Sequence, residues 1–428
     1  MTIHEKASRA REAVLGMAAI DGDVKNRSLR AIQDTLRRDR DVIFRANRDD
    51  LTAAAKNQVP SPLIKRLKFD DAKLGEVLDG IDMLISLENP TGKTISSREL
   101  DDGFNLYQVT SAIGVVGVIF ESRPDALVQI SSLCLKSGNA VILKGGTEAI
   151  KTNRALASCI KRASTASGMP RGWIQLAETR DDVREMLALE SIIDLLVPRG
   201  SNEFIRFIMD NTNIPVLGHA DGICHVYIHE DADSDRAVAI TVDAKTQYVA
   251  VCNAAETLLV HRSLAPKILP LMKQALEAHD VRIRGCARTL EIIDVEPATE
   301  EDWLTEYLDL ALSIKVVEDA DEAIKHINAY GSHHTDAIVT RSEETAQRFM
   351  TFVDSANVFW NCSTRFADGY RYGLGAEVGI STGKLHARGP VGLEGLLTYK
   401  WKLFGSGQIV ADYVGPDAKS FTHRPIAE

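Results

Sequence analysis

The sequence predicts an α/β protein built from two parallel-sheet units. Short β-branched runs alternate with helical stretches of roughly 10–15 residues, the rhythm of βαβ units. That alternation restarts near residue 225. With 428 residues, 45% hydrophobic and 26% charged, the chain has globular composition and length for more than one core.

Residues 1 to about 85 interleave charges with Leu and Ile at three- and four-residue spacing and read as helices. The apolar stretch Ala13–Ile20 could be mistaken for a signal-peptide core. However, Glu5 and Glu12 precede it, no Ala-x-Ala site follows, and Ile3, Ala7, Ala10, Val14 and Met17 recur at helical spacing. Pro60 and Pro62 interrupt this region. Ile113–Phe120 then suits a buried strand, followed by a helix over Ala126–Lys136 closed by Gly138. Next come a strand at Ala140–Leu143, a polar turn at Lys144–Thr147, and a helix near Lys151–Ser167. A strand at Trp173–Leu176, a helix at Asp181–Leu189 and a strand at Ile193–Val197 complete the first unit. Strands of the second are expected at Cys224–Ile228, Thr257–His261, Leu312–Val317, Ala337–Thr340 and Asn357–Trp360.

Fifty Lys+Arg against 60 Asp+Glu leave a net charge of −10. A general nucleic-acid binder needs a basic face, so that class is disfavoured. The longest apolar or glycine run, Ala112–Phe120, falls far short of the ~20 residues a membrane helix needs. None of the six cysteines lies within four residues of another, which excludes a zinc knuckle or Cys-x-x-Cys pair and suggests a reduced, cytoplasmic protein.

The Gly-x-Gly-x-x-Gly fingerprint, the Walker A loop and His-Glu-x-x-His are all absent. Gly379-Ile-Ser-Thr-Gly383 fits a nucleophile elbow, but the preceding residues read as loop where that motif needs a strand. His219, His225 and His229 could suggest a metal site; no Cys or acidic residue completes a convincing set, so no metal is expected. His333-His334-Thr-Asp336 could supply acid–base chemistry or simply form a turn. Lys144 ends a parallel strand, where α/β sheets bind ligands, although a surface lysine would look the same. Cys252, among small residues after a polar turn, reads either as an accessible nucleophile or as a buried inert thiol.

Order and spacing add what no single motif does. Glu121-Ser-Arg-Pro124, Ser137-Gly-Asn-Ala-Val-Ile-Leu-Lys144, Val197-Pro-Arg-Gly-Ser201 and Val251-Cys-Asn-Ala-Ala255, in that sequence, resemble the aldehyde dehydrogenase superfamily. Tyr330–Asp336, Asn361-Cys-Ser-Thr-Arg-Phe366 and Lys384-Leu-His-Ala-Arg-Gly-Pro390 resemble its branch that reduces L-glutamyl 5-phosphate to L-glutamate 5-semialdehyde in proline synthesis. The likeness extends over nearly the whole chain.

The resemblance implies an aldehyde dehydrogenase-like fold. It has a cofactor-binding domain (1–102 and 121–225), a catalytic domain (226–398), and a small β oligomerisation flap with a C-terminal segment (103–120 and 399–428). The flap would use residues around 103–120 and a strand near Gly407–Tyr413. Cys252 would be the nucleophile, with its backbone N–H or the neighbouring Asn253 serving the oxyanion. Lys144, Gly145, Gly146, Thr147, Arg199, Gly200 and Ser201 would hold the cofactor. Ser122, Arg123, Ser363, Thr364, Arg365 and Arg388 would meet the substrate, the arginines as anion clamps or, equally, as salt-bridge partners.

Departures from the oxidising relatives shape the expected chemistry. Val216 stands where they carry a water-activating glutamate, Ser122 where they carry an oxyanion asparagine, and Thr147 where a glutamate repels a 2′-phosphate. These changes favour a thioester that is not hydrolysed, and NADPH as cofactor. The resemblance further implies a homo-oligomer and makes the upstream glutamate kinase a candidate partner. An oxidising dehydrogenase acting on a small semialdehyde is one alternative. A non-catalytic binding protein of the same fold is another, against which Cys252, Lys144 and Asn361–Arg365 speak.

Overall fold

The structure, a computed structural model, describes residues 1–219 and 221–426. Five helices open the chain: Ile3–Met17, Gly22–Arg38, Arg40–Lys56, Ser61–Leu67 and Asp71–Ser86. The first shows why. Thr2 and Glu5 form a capping box, and Ile3, Ala7, Ala10, Ala13 and Met17 make one buried stripe.

These helices pack around a four-stranded parallel sheet of spatial order Ile174–Ala177, Ala140–Lys144, Val115–Phe120, Leu195–Arg199. Every residue of Val115–Phe120 is buried, as a central parallel strand requires. Helices Pro124–Ser137 and Ile150–Ala166 connect the strands, and Gly138, at φ 78°, ends the first of them.

The second unit is a seven-stranded parallel sheet, in spatial order Glu296–Pro297, Arg282–Gly285, Ala311–Val317, Ala255–His261, Cys224–Ile228, Thr335–Val339, Asn357–Trp360. Separate apolar cores lie against it, one built on Val226, Leu258 and Ile314, the other on Tyr227, Leu259 and Ile338. The strands at 282–285 and 296–297 are additions to the sequence expectation, each too short and too polar to announce itself.

Two expectations about domain limits are corrected. The flap is an antiparallel sheet of Leu397–Phe404, Phe104–Ala112, Thr94–Asp101 and Arg424–Pro425. Residues 115–120, assigned to the flap, lie instead in the first parallel sheet. Gly114, at φ 139°, redirects the chain within the apolar run Ala112–Phe120, so that Ala112 ends a flap strand and Val115 begins a buried one. Thr94–Asp101, assigned to the cofactor domain, belongs to the flap. The expected strand near 407–413 is a 3₁₀ turn, Val410–Tyr413, whose Tyr413 hydroxyl donates to Asp101 (2.8 Å). Residues 427 and 428 of the expected C-terminal segment lie outside the described residues. The second correction is that Ala376, Val378, Val391, Leu393 and Leu396, assigned to the catalytic domain, bury their side chains in the first unit's core. Among the described residues no helix is long and apolar enough to cross a membrane.

Candidate active site

The first unit meets the Cys252 segment through its arginines: Arg66 reaches the Ala250 carbonyl, and Arg123, beside Arg199 at the carboxyl end of a first-sheet strand, also lies near Tyr248. His219, in the crossover between the units, donates from Nδ1 to the Ile380 carbonyl (2.8 Å).

Cys252 sits in the segment between helix Ser234–Thr246 and strand Ala255–His261, half-buried. Its backbone lies so close to Gly222 that a Cβ there would stand 2.3 Å from the Cys252 carbonyl oxygen and 2.4 Å from its Cα. The buried Cys224 thiol donates to the same oxygen (3.2 Å). The Cys252 sulfur is 3.1 Å from His334 Nε2, and His334 Nδ1 is 2.8 Å from the Thr335 hydroxyl. With Nδ1–H donating to that hydroxyl, Nε2 presents its lone pair to the thiol. An imidazole facing a thiol in this way is placed to take its proton.

The other wall is the segment 363–367. Thr364 donates its hydroxyl to the Asn253 carbonyl (2.7 Å), and the buried Asn253 amide donates to Ala367 O (2.8 Å). Asn253 thus tethers two loops, and its Oδ1 has no partner among the described residues. The Ser363 hydroxyl accepts from the Arg365 backbone N–H (3.3 Å). Arg365 donates from Nε and Nη2 to Gln247 Oε1 (3.0 and 2.9 Å). Burial and Arg371 lower its pKa, while the Cys252 sulfur opposes them from nearby.

Arg123 has no side-chain partner among the described residues. Burial lowers its pKa, and the guanidiniums of Arg199 and Arg66 add to the effect. Arg66 reaches the Ala250 carbonyl (3.4 Å), and its buried Nε is unpaired. Of the three, only Arg199 has a carboxylate partner, Glu377 at 3.4 Å. Three guanidiniums with one ion-paired carboxylate among them, and with Asp125 and Glu121 acting on Arg123 and Arg66 without pairing, can receive an anion beside the Cys252 segment. Arg388 is engaged by Asp354 (3.1 Å), with its Nε buried and unpaired. Ser122 departs from the substrate contact expected of it. At φ 45°, its N–H and hydroxyl both donate to Glu148 Oε1 (2.7 Å each), so it braces the neighbouring turn.

On the cofactor side, Lys144 is a buried residue whose ammonium has no hydrogen-bond partner among the described residues. Burial lowers its pKa, and Glu148 raises it. Gly145 admits Asn153, whose Nδ2 would lie 2.1 Å from an added Cβ. Thr147 is exposed at the start of a 3₁₀ turn. Gly200 lies against Phe204 and Glu121, and Ser201 caps helix Asn202–Asp210. An unpaired lysine, a tight turn and a capped helix N-terminus fit a nicotinamide dinucleotide, with its hydroxyls and its pyrophosphate.

The three histidines weighed as a metal set do not converge. His225 is buried against Asp336 (2.8 Å), and His229 bonds the Tyr227 hydroxyl (2.9 Å). Sequence reasoning missed Arg66, Cys224 and the direct contact of His334 with Cys252. Only His334 carried a signal, in the stretch 333–336.

Residues 1–283 match the model of the aldehyde dehydrogenase family. Curated gamma-glutamyl phosphate reductases of Pelotomaculum thermopropionicum and Acetivibrio thermocellus are 62% and 61% identical, covering 100% of this chain and 98% and 99% of theirs. The crystal structure of the gamma-glutamyl phosphate reductase of Thermotoga maritima superposes with a TM-score of 0.93 at 41% identity, over 96% of this chain and 100% of that one. An acetylating aldehyde dehydrogenase from Geobacillus thermoglucosidasius shares the fold alone, at 16% identity and a TM-score of 0.67, over 95% of this chain and 97% of that one. The chain belongs to the aldehyde dehydrogenase family, oxidoreductases that work with a nicotinamide cofactor, and within it to the gamma-glutamyl phosphate reductases.

Proposed function

We propose that this chain reduces L-glutamyl 5-phosphate to L-glutamate 5-semialdehyde and phosphate with NADPH, the second step of proline synthesis, through a thioester on Cys252. The observation that carries the reading is the Cys252–His334 pair beside the three arginines. His334 Nε2 accepts the thiol proton as sulfur attacks the C5 carbonyl. The bond from C5 to the bridging oxygen breaks, and orthophosphate leaves carrying the proton the thiol gave up. Arg123 and Arg66 neutralise its charge. Arg365, Arg388, Ser363 and Thr364 frame the rest of the substrate. When bound, NADPH supplies hydride to the thioester carbon. The resulting oxyanion lies near the Cys252 N–H, and its collapse returns sulfur as thiolate, which solvent reprotonates.

Val216, which bridges Leu196 and packs on the first core, offers water no base, so the thioester waits for hydride. Lys144, Gly145, Gly146, Thr147, Arg199, Gly200 and Ser201 would hold the cofactor. Thr147 presents no charge to a 2′-phosphate, and Glu148 is drawn off by Ser122. The open edge of Leu397–Phe404, with Tyr399, Trp401, Leu403 and Phe404 exposed, supports a homo-oligomer joined through the flap. The reading also puts the enzyme in the cytoplasm, where free thiols persist, receiving a labile substrate from a glutamate kinase.

The reverse reaction tests it: glutamate semialdehyde and NADP⁺, with and without phosphate, followed by NADPH absorbance. Strict phosphate dependence, lost in Cys252→Ala, is expected. Sustained turnover without phosphate would overturn the reading in favour of an oxidising dehydrogenase.

A further inference from the structure

Beyond its neighbour His334, the nucleophile faces a second histidine. One ligand atom each from His219, Cys252 and His334 lie within 4.8 Å of one another. The His219 and His334 rings meet edge to face, with centroids 4.8 Å apart. In both rings Nδ1 is already occupied, by the Ile380 carbonyl in one and the Thr335 hydroxyl in the other, each at 2.8 Å. Nε2 is therefore the nitrogen left to each. Imidazoles oriented by an outer hydrogen bond on Nδ1 are the usual preparation for holding a metal through Nε2.

The donor set is also right in kind. Two imidazoles and a thiolate make a tetrahedral site with one open position, suited to Zn²⁺ and unsuited to Mg²⁺ or Ca²⁺. Bonds of about 2.0–2.3 Å put tetrahedral ligand atoms roughly 3.5 Å apart. The 3.1 Å from Cys252 Sγ to His334 Nε2 and the 4.8 Å limit of the group bracket that value, so side-chain adjustments within about 1 Å close the site.

We propose that His219, Cys252 and His334 form a reversible inhibitory site for a thiophilic divalent cation of the Zn²⁺ type. Binding replaces the thiol proton with the metal, releases that proton to solvent and oxidises nothing. The sulfur is then capped and unavailable to an acyl phosphate. Only this inhibitory consequence rests on the proposed function; the binding itself does not.

The experiment titrates the full-length protein, reduced and metal-free, with Co²⁺. A near-ultraviolet thiolate-to-cobalt charge-transfer band, saturating at one metal per chain and displaced by Zn²⁺, is expected. Cys252→Ala should abolish the band. His219→Ala and His334→Ala should each weaken Co²⁺ binding at least tenfold, with circular dichroism confirming the fold. Failure of one histidine variant to fold leaves the other to decide. No band at millimolar Co²⁺, a band that survives in Cys252→Ala, or binding indifferent to the histidines would overturn the site. In parallel, Zn²⁺ should inhibit turnover at the concentration where it displaces Co²⁺, with recovery on adding EDTA. A protein that shows the band but turns over no glutamate semialdehyde would retain the site and lose the proposed function.

Discussion

Gly222 offers the sharpest test of how the Cys252 sulfur is positioned. A methyl group there would lie 2.3–2.6 Å from the carbonyl oxygen, Cα and Cβ of Cys252, which is about 1 Å inside ordinary contact. Because the obstacle is backbone, no side chain can swing away. In Gly222→Ala the two backbones must therefore part by about that distance, which disturbs the 3.1 Å contact of Cys252 with His334. Misplacing a reacting group by 1 Å costs roughly 10²-fold in rate, and overpacking costs about 1–3 kcal/mol of stability. The expected enzyme is folded and slightly less stable, with kcat in the phosphate-dependent reverse reaction down roughly 100-fold and KM for NADP⁺ unchanged. Alkylation of Cys252 by iodoacetamide should slow as well, because the sulfur loses its base. Turnover within about twofold of the parent, with unchanged alkylation, would refute the claim that this contact sets the sulfur's position.

Thr147→Glu should raise the KM for NADPH at least tenfold, roughly 1.4 kcal/mol, while that for NADH changes little; equal effects on both would remove Thr147 from the 2′-phosphate's reach. Burial, aided by the neighbouring Lys315 ammonium, drives the His326 pKa down to about 2. The unfolded chain binds this proton first, so the contribution is intact above pH about 6.5 and is lost as pH falls, at about 1.4 kcal/mol per unit. Urea unfolding of His326→Gln between pH 7 and 5 should show a flatter acid limb, and an unaltered slope would contradict the assignment. Tyr399→Lys combined with Trp401→Lys places two charges on an open strand edge, so sedimentation should shift toward monomer.

Much of the strand framework was readable. Cys224–Ile228 falls where the apolar pattern put it, because a parallel strand buried on both faces reads as a continuous run, and the half-buried edge strand Asn357–Trp360 is found where Val358, Phe359 and Trp360 announced it. The flap was harder, since only Ile113 and Gly114 separate its strand from a buried one and periodicity does not register a change of sheet. The site divides in the same way. Lys144 was visible because a strand end announces itself locally. His334 meets Cys252 only because the strands at 224, 255 and 335 are neighbours in the seven-stranded sheet. That order is a long-range property, and no spacing encodes it. Arg66 belongs to a short, polar helix that is unremarkable until it comes beside residue 250.

The return of residues 376–396 to the first core has a consequence for how the chain is made. A nascent polypeptide released segment by segment cannot complete its amino-terminal half when that half has emerged. Val378, Val391 and Leu396 are still missing from it. Synthesis must continue from residue 226 to residue 396, roughly 10–30 s at ordinary elongation rates, with an apolar seam open to solvent. The second sheet is threaded into the chain as an insertion, so the two halves mature together. Chaperone demand should therefore peak late in translation.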